Sequence, residues 1–182
     1  MPRGHSHGVV FLSASDINDM EAMKKKLMLT ENARHEKQLA KMQECLSLGL
    51  CPFCPEHFKK YHDAPVLMEG NWWIITKNDY PYEGSTHHYL AIAKNFHTDS
   101  HKTSEHPTDL KDIHPVAWPE LFKLFTDLEK KLEVKGGGVF LRFGDMSRTG
   151  ATIAHIHVHF IVGGEKKDGS EWLCAALGYK NK

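Results

Sequence analysis

Six of the fourteen histidines fall into two tight groups, His87, His88 and His97, then His155, His157 and His159. The second group lies in Ala154-His-Ile-His-Val-His-Phe-Ile-Val162, where imidazoles alternate with branched and aromatic residues. Side chains alternate faces along a strand, so the three histidines share one face and Ile156, Val158 and Phe160 take the other. A solvent-facing polar ladder would be served as well by Ser, Thr or Lys. A row of imidazoles instead fits metal ligation, acid–base work or nucleophilic attack by a neutral ring nitrogen. Just upstream, Gly150-Ala-Thr-Ile153 places a glycine and a small hydroxyl at the strand entry. Backbone N–H groups and the Thr152 hydroxyl there can receive an anion. A phosphate resting against imidazoles is the chemistry this pairing implies.

Cys51-Pro-Phe-Cys54 is a second reactive unit. In a chain expected to stay inside the cell, C-x-x-C points to a metal or redox pair more than to a disulfide framework. Pro52 and Pro55 favour a compact knuckle around it. Cys45 and Cys174 stand apart and read as ordinary thiols.

The elements that must hold these residues follow from periodicity. Residues 1–15 read as a frayed start, and a helix is expected from Asp16 to about Cys45, with apolar residues at three- and four-residue steps. Its polar face of Lys, Glu and Gln reads as solvated. Strands are expected near 65–69, 71–77 and 88–93, and a polar loop over 98–116. A second helix is expected over 118–134, with Leu121, Leu124, Phe125, Leu128 and Leu132 as one stripe and Gly136-Gly-Gly138 as its end. Two more strands follow, at 139–143 and 153–162. Strands and helices interspersed with short connections predict an α+β fold around an antiparallel sheet. The expected division is a tail and helical extension at 1–45 and one domain at 46–182.

Lys plus Arg (23) cancels Asp plus Glu (23) in the 182 residues, which argues against binding long nucleic acid through a general positive field. Apolar residues at 41% supply a core and argue against disorder. No apolar run reaches the roughly 18 residues of a membrane span, and the start lacks a signal-peptide pattern. A soluble, cytoplasmic protein is expected.

The segment Gly150-Ala-Thr-Ile-Ala-His-Ile-His-Val-His-Phe-Ile161 resembles the G-Q-S-V-x-H-x-H-x-H signature of the histidine triad (HIT) family of nucleotide hydrolases and transferases. His88-Tyr-Leu-Ala-Ile-Ala-Lys-Asn-Phe-His97 resembles the family's G-H-x-L-V-I-P-K-x-H strand, and Cys51-Pro-Phe-Cys54 the C-x-F-C of many bacterial members. The resemblance spans about residues 50–165. It departs at Ala151 (usually Gln), Ala93 (usually Pro) and Gly144 (commonly Asn), and one extra residue precedes His97.

The resemblance implies an antiparallel sheet of about five strands with a packed helix, in a homodimer. It implies attack by His157 on the α-phosphorus of a purine nucleotide conjugate, of phosphoramidate or dinucleoside polyphosphate type. A covalent nucleotidyl-histidine intermediate follows, with His159 donating to a phosphate oxygen or leaving group. Gly150 and Thr152 would hold the phosphate, and Asp79 or Asn78 the ribose. Arg142 and Arg148 are candidates for steering phosphates. Cys51, Cys54, His97 and His155 would bind one structural zinc tetrahedrally. His88 or His87 could replace His97, and no organic cofactor is implied. Two competing readings remain. One is a hydrolase whose strand histidines hold a catalytic zinc hydroxide; the other is a zinc-stabilised nucleotide-binding module without catalysis.

Overall fold

The computed structural model describes residues 27–94 and 107–180. Its centre is a five-stranded antiparallel sheet in the order β1-β2-β3-β5-β4. The strands are β1 (Val66–Glu69), β2 (Trp73–Lys77), β3 (His87–Ala93), β4 (Gly138–Leu141) and β5 (His157–Val162). Helices α1 (Glu36–Ser47) and α2 (Pro55–Tyr61) precede the sheet, α3 (Ala117–Leu132) joins β3 to β4, and α4 (Met146–Thr149) joins β4 to β5. This is the expected α+β architecture. None of the described helices is long and apolar enough to cross a membrane.

Each face of the sheet has its own cover, because alternation in β3 and β5 divides their side chains. Ile156, Val158, Phe160 and Val162 pack with Trp73, Ile75, Ala91 and the Leu121–Phe125–Leu128 stripe of α3 in one core. Leu90 and Ile92 point to the other face and pack with Met28, Met42, Cys45, Cys51, Phe53 and Phe58. The histidines of β5 lie on this second face, between the sheet and the segments that precede it.

The expected single helix over 16–45 takes another form within the described residues, while Asp16–Lys26 lie outside them. Met28 pairs with Ile153, the Leu29 N–H donates to Thr152 O at 3.0 Å, and the Ala154 N–H to Leu27 O at 3.0 Å. A 3-10 turn at Thr30–Asn32 and an extended Ala33 then lead into α1. Long-range pairing with the strand entry overrides helix propensity here. A second long-range contact shortens the last strand. Ile156 N–H donates to Pro107 O, so β5 begins at His157 and not at Ile153. Helix α3 ends at Leu132, capped by Glu133 in the left-handed region (φ 51°), three residues before the glycine run.

Helix α3 is clasped to the sheet by one carboxylate. Glu120 accepts the N–H groups of Asn71, Trp72 and Trp73 at 3.0, 2.7 and 3.2 Å. A side chain at Gly70 would run into that carboxylate. Trp73 adds an indole N–H bond to Ala117 O at 2.8 Å. Glu120→Ala strands these amides and is expected to lower stability by about 1–3 kcal/mol, read from urea denaturation.

Candidate active site

The strand histidines are buried rather than solvated: His155 is 0%, His157 6% and His159 3% exposed. Buried imidazoles need partners, and each of these has a different one. His155 is turned toward the cysteine knuckle. Its Nδ1 lies 3.6 Å from Cys51 Sγ and 3.8 Å from Cys54 Sγ, while its Nε2 is 2.6 Å from Ala93 O. A carbonyl only accepts, so Nε2 carries the proton and the Nδ1 lone pair faces the sulfurs.

That arrangement fits a metal. Ligand atoms of a tetrahedral zinc, at about 2.3 Å for sulfur and 2.0–2.1 Å for nitrogen, stand about 3.6 Å apart along an S–N edge. The second ring nitrogen held by a carbonyl is the usual support for a ligating histidine. Burial pushes the Cys51 thiol well up, a cost that a bound cation would reverse. Cys51, Cys54 and His155 are the one group of three or more such ligands among the described residues. His97 lies outside the described residues. His88 is engaged with His159 instead, and His87 is stacked beside Tyr89.

His157 Nδ1 lies 2.8 Å from the carbonyl of His155. The proton is therefore on Nδ1, and the Nε2 lone pair is available. Burial lowers the ring's pKa to about 4, partly opposed by that carbonyl, so the ring is neutral at ordinary pH. His159 Nδ1 is 2.8 Å from His88 Nε2, and its Nε2 is 3.1 Å from Arg142 Nη2. Burial holds His159 well below its usual range, and neighbouring His157 and Arg142 push the same way. His88 falls to about 3, by burial and then by the Arg34 charge.

His157 and His159 open onto a cleft bounded by β5, the strand-entry loop and α1. Thr152, Ile153, Phe53, Asn78, Asp79 and Arg142 line it. So do Arg34, Gln38 and Lys41, from the segment whose polar face reads as merely solvated. Gln38 is buried there, accepting the Arg34 N–H at 3.1 Å. The signal that could have found these residues is not local, because it lies in the pairing of Met28 with Ile153.

The remaining candidates are placed unequally. The Gly150 N–H closes α4 on Met146 O at 3.1 Å, and its left-handed φ of 68° turns the chain toward Thr152. Asp79 borders the cleft, but its oxygens accept the Asp63 and Ala64 N–H groups at 2.9 and 3.1 Å. His62 and Lys41 also approach it, at 3.3 and 3.7 Å. Arg148 is solvated beside Asp145.

The chain is similar to histidine triad proteins. A histidine triad nucleotide-binding protein from Sulfolobus tokodaii is 19% identical, with a TM-score of 0.45, covering 72% of this chain and 82% of its own. A HIT family hydrolase from Clostridium thermocellum is 20% identical, with a TM-score of 0.42, covering 64% and 91%. A zinc-bound histidine triad family protein from Mycobacterium smegmatis is 18% identical, with a TM-score of 0.42, covering 65% and 76%. No family model and no curated protein matches the chain.

A buried neutral histidine makes folding sensitive to acid in a defined direction. His88 has its folded pKa below the unfolded value of 6.5, so its contribution is complete above pH 6.5 and is lost as pH falls toward about 3. Each such ring steepens the loss by at most about 1.4 kcal/mol per pH unit. The thermal midpoint is expected to be flat between pH 7 and 8 and to fall steadily from pH 6.5 to 4.5, followed by circular dichroism.

Proposed function

We propose that this protein is a histidine triad nucleotide hydrolase or nucleotidyl transferase, with His157 as nucleophile. The observation that carries the reading is the His157 ring itself. Its Nδ1–H is tied to the His155 carbonyl, and its other nitrogen is an unprotonated donor of electrons on the wall of a cleft. In the proposed reaction Nε2 attacks the α-phosphorus of a nucleotide conjugate. The bond from phosphorus to the leaving group breaks as the bond to nitrogen forms. Water, or another acceptor in a transferase, then cleaves the phosphorus–nitrogen bond and restores the neutral ring. His159 donates from Nε2 to phosphate oxygen or leaving group, and the Thr152 hydroxyl helps hold the negative charge. Gly150 acts by turning the chain so that Thr152 faces the cleft. Asp79 accepts ribose hydroxyls on the lone pairs that the Asp63 and Ala64 amides leave.

Zinc belongs to this reading as a structural ion held by Cys51, Cys54 and His155, with His97 as the proposed fourth ligand. It would pin the knuckle to the entry of β5. The divergence of the rings disfavours a catalytic zinc hydroxide. His155 faces the cysteines, and His159, which accepts from His88 at Nδ1, carries its proton on Nε2 beside Arg142, so His157 Nε2 is the one lone pair of the three rings turned to the cleft. The reading includes a homodimer, in which the edge strand β4, with exposed Val139, would meet its copy.

His157→Ala is expected to abolish turnover of adenosine phosphoramidate and dinucleoside polyphosphates while the fold and most nucleotide binding survive. Mass spectrometry of wild type quenched during turnover should find one nucleotidyl adduct, on His157. Nucleotide binding with no adduct and no turnover on either substrate would instead identify a binding module.

Elemental analysis of protein purified without added metal should return one zinc per chain, and His155→Ala should lose it together with thermal stability. A metal-free protein of undiminished stability would end the zinc assignment.

A further inference from the structure

Hydrogen-bond donors beside His159 exceed the acceptors. The Tyr82 N–H donates to His88 Nδ1 at 3.0 Å, so the single proton of neutral His88 is on Nε2. Asn78 Nδ2 lies near both nitrogens of that ring, at 3.4 and 3.1 Å, and does not choose between them. His88 Nε2–H then donates to His159 Nδ1, which puts the proton of His159 on Nε2. Nε2–H faces Arg142 Nη2 at 3.1 Å, and a guanidinium nitrogen has no acceptor to offer. Two donors converge there on the same space.

Arg142 is otherwise firmly held. Its Nη1 donates to Ala176 O at 2.8 Å, and the ring of Phe140 lies 5.4 Å from its central carbon. Its Nε is buried and has no hydrogen-bond partner among the described residues. Arg34 enters the same cleft from the segment before α1. Its guanidinium lies 3.9 Å above the Tyr82 ring, itself stacked on His88, and donates to Tyr80 O at 3.2 Å. The two guanidinium charges are close enough to disfavour each other. The nearby carboxylate, Asp79, is engaged by Lys41, His62 and two amides.

We infer that Arg142 and Arg34 form an anion subsite next to His159 that takes the leaving group, and that this leaving group is itself a phosphate or polyphosphate. The inference rests on the reading of His157 as nucleophile and narrows it to phosphoanhydride substrates over phosphoramidates. A phosphate oxygen between Arg142 Nη2 and His159 Nε2 accepts from both and removes the donor–donor conflict. The departing phosphate carries away the electron pair of the broken phosphorus–oxygen bond, and Arg142 and Arg34 stabilise that charge with no proton transfer required. A neutral amine leaving group would use neither guanidinium.

Calorimetry with inorganic tripolyphosphate tests the subsite without any turnover. Wild type should bind it, and Arg142→Gln should weaken binding at least about tenfold, as expected for loss of a charge-assisted pair. Arg34→Gln, on a separate element, should weaken it in the same direction, and Arg142→Lys should recover part of the loss. In parallel, the ratio of kcat/KM for dinucleoside polyphosphate over adenosine phosphoramidate should fall in Arg142→Gln. Tripolyphosphate binding that is absent in wild type, or equal in all variants, overturns the subsite. An unchanged ratio in a protein that does form the His157 adduct overturns the subsite and leaves the covalent reading standing. Arginine-dependent tripolyphosphate binding without turnover does the reverse.

Discussion

The hydrogen bond from His157 Nδ1 to the carbonyl of His155 is the contact on which the rest of this structure depends. It sets which nitrogen of His157 faces the cleft, and it ties that choice to the backbone of the residue next to the cysteine knuckle. His155 thus acts twice. Its carbonyl orients His157, and its ring, held by Ala93 O, points a lone pair at Cys51 and Cys54. The knuckle and His157 are linked through one residue. In the proposed reading, a structural ion on Cys51, Cys54 and His155 would steady the nucleophile without acting as a Lewis acid.

That bond is strong only because its surroundings are dry. One face of the sheet is an ordinary apolar core beneath α3, and the other buries five imidazoles, counting His62 and His88. Burial favours the neutral rings, and a neutral ring has one donor and one acceptor. Every tautomer is then set by its neighbour, from the Tyr82 N–H through His88 to His159. The chain of bonds ends at the cleft with a donor facing a donor, where an anionic oxygen would complete it.

The segment before the sheet closes the cleft. By pairing with the strand entry it places Arg34, Gln38 and Lys41 opposite His157 and His159. The tail after β5 also reaches the site, through Ala176 O to Arg142 and the Tyr179 hydroxyl to Asn32 Oδ1 at 2.7 Å. Two regions outside the span of the histidine triad resemblance therefore shape the wall of the cleft.

The amino-acid sequence by itself determined the features that repeat over short distances. The two-residue period of Ala154–Val162 separates histidines from Ile156, Val158 and Phe160, and the stripe of Leu121 to Leu132 makes α3; both depend only on neighbours along the chain. Cys51 and Cys54 are brought together by a three-residue step in which each cysteine is followed by a proline. Tertiary structure decided what those local patterns meet. Nothing in Lys, Glu and Gln on one helix face distinguishes a solvated surface from the wall of a cleft. The Leu29 N–H and Thr152 O that settle it are more than a hundred residues apart. The same holds for Gly150, whose N–H closes a short helix, and for His88, whose partner is set by the β3–β5 register. A donor shows its type in the sequence, but its acceptor is chosen only when distant strands align.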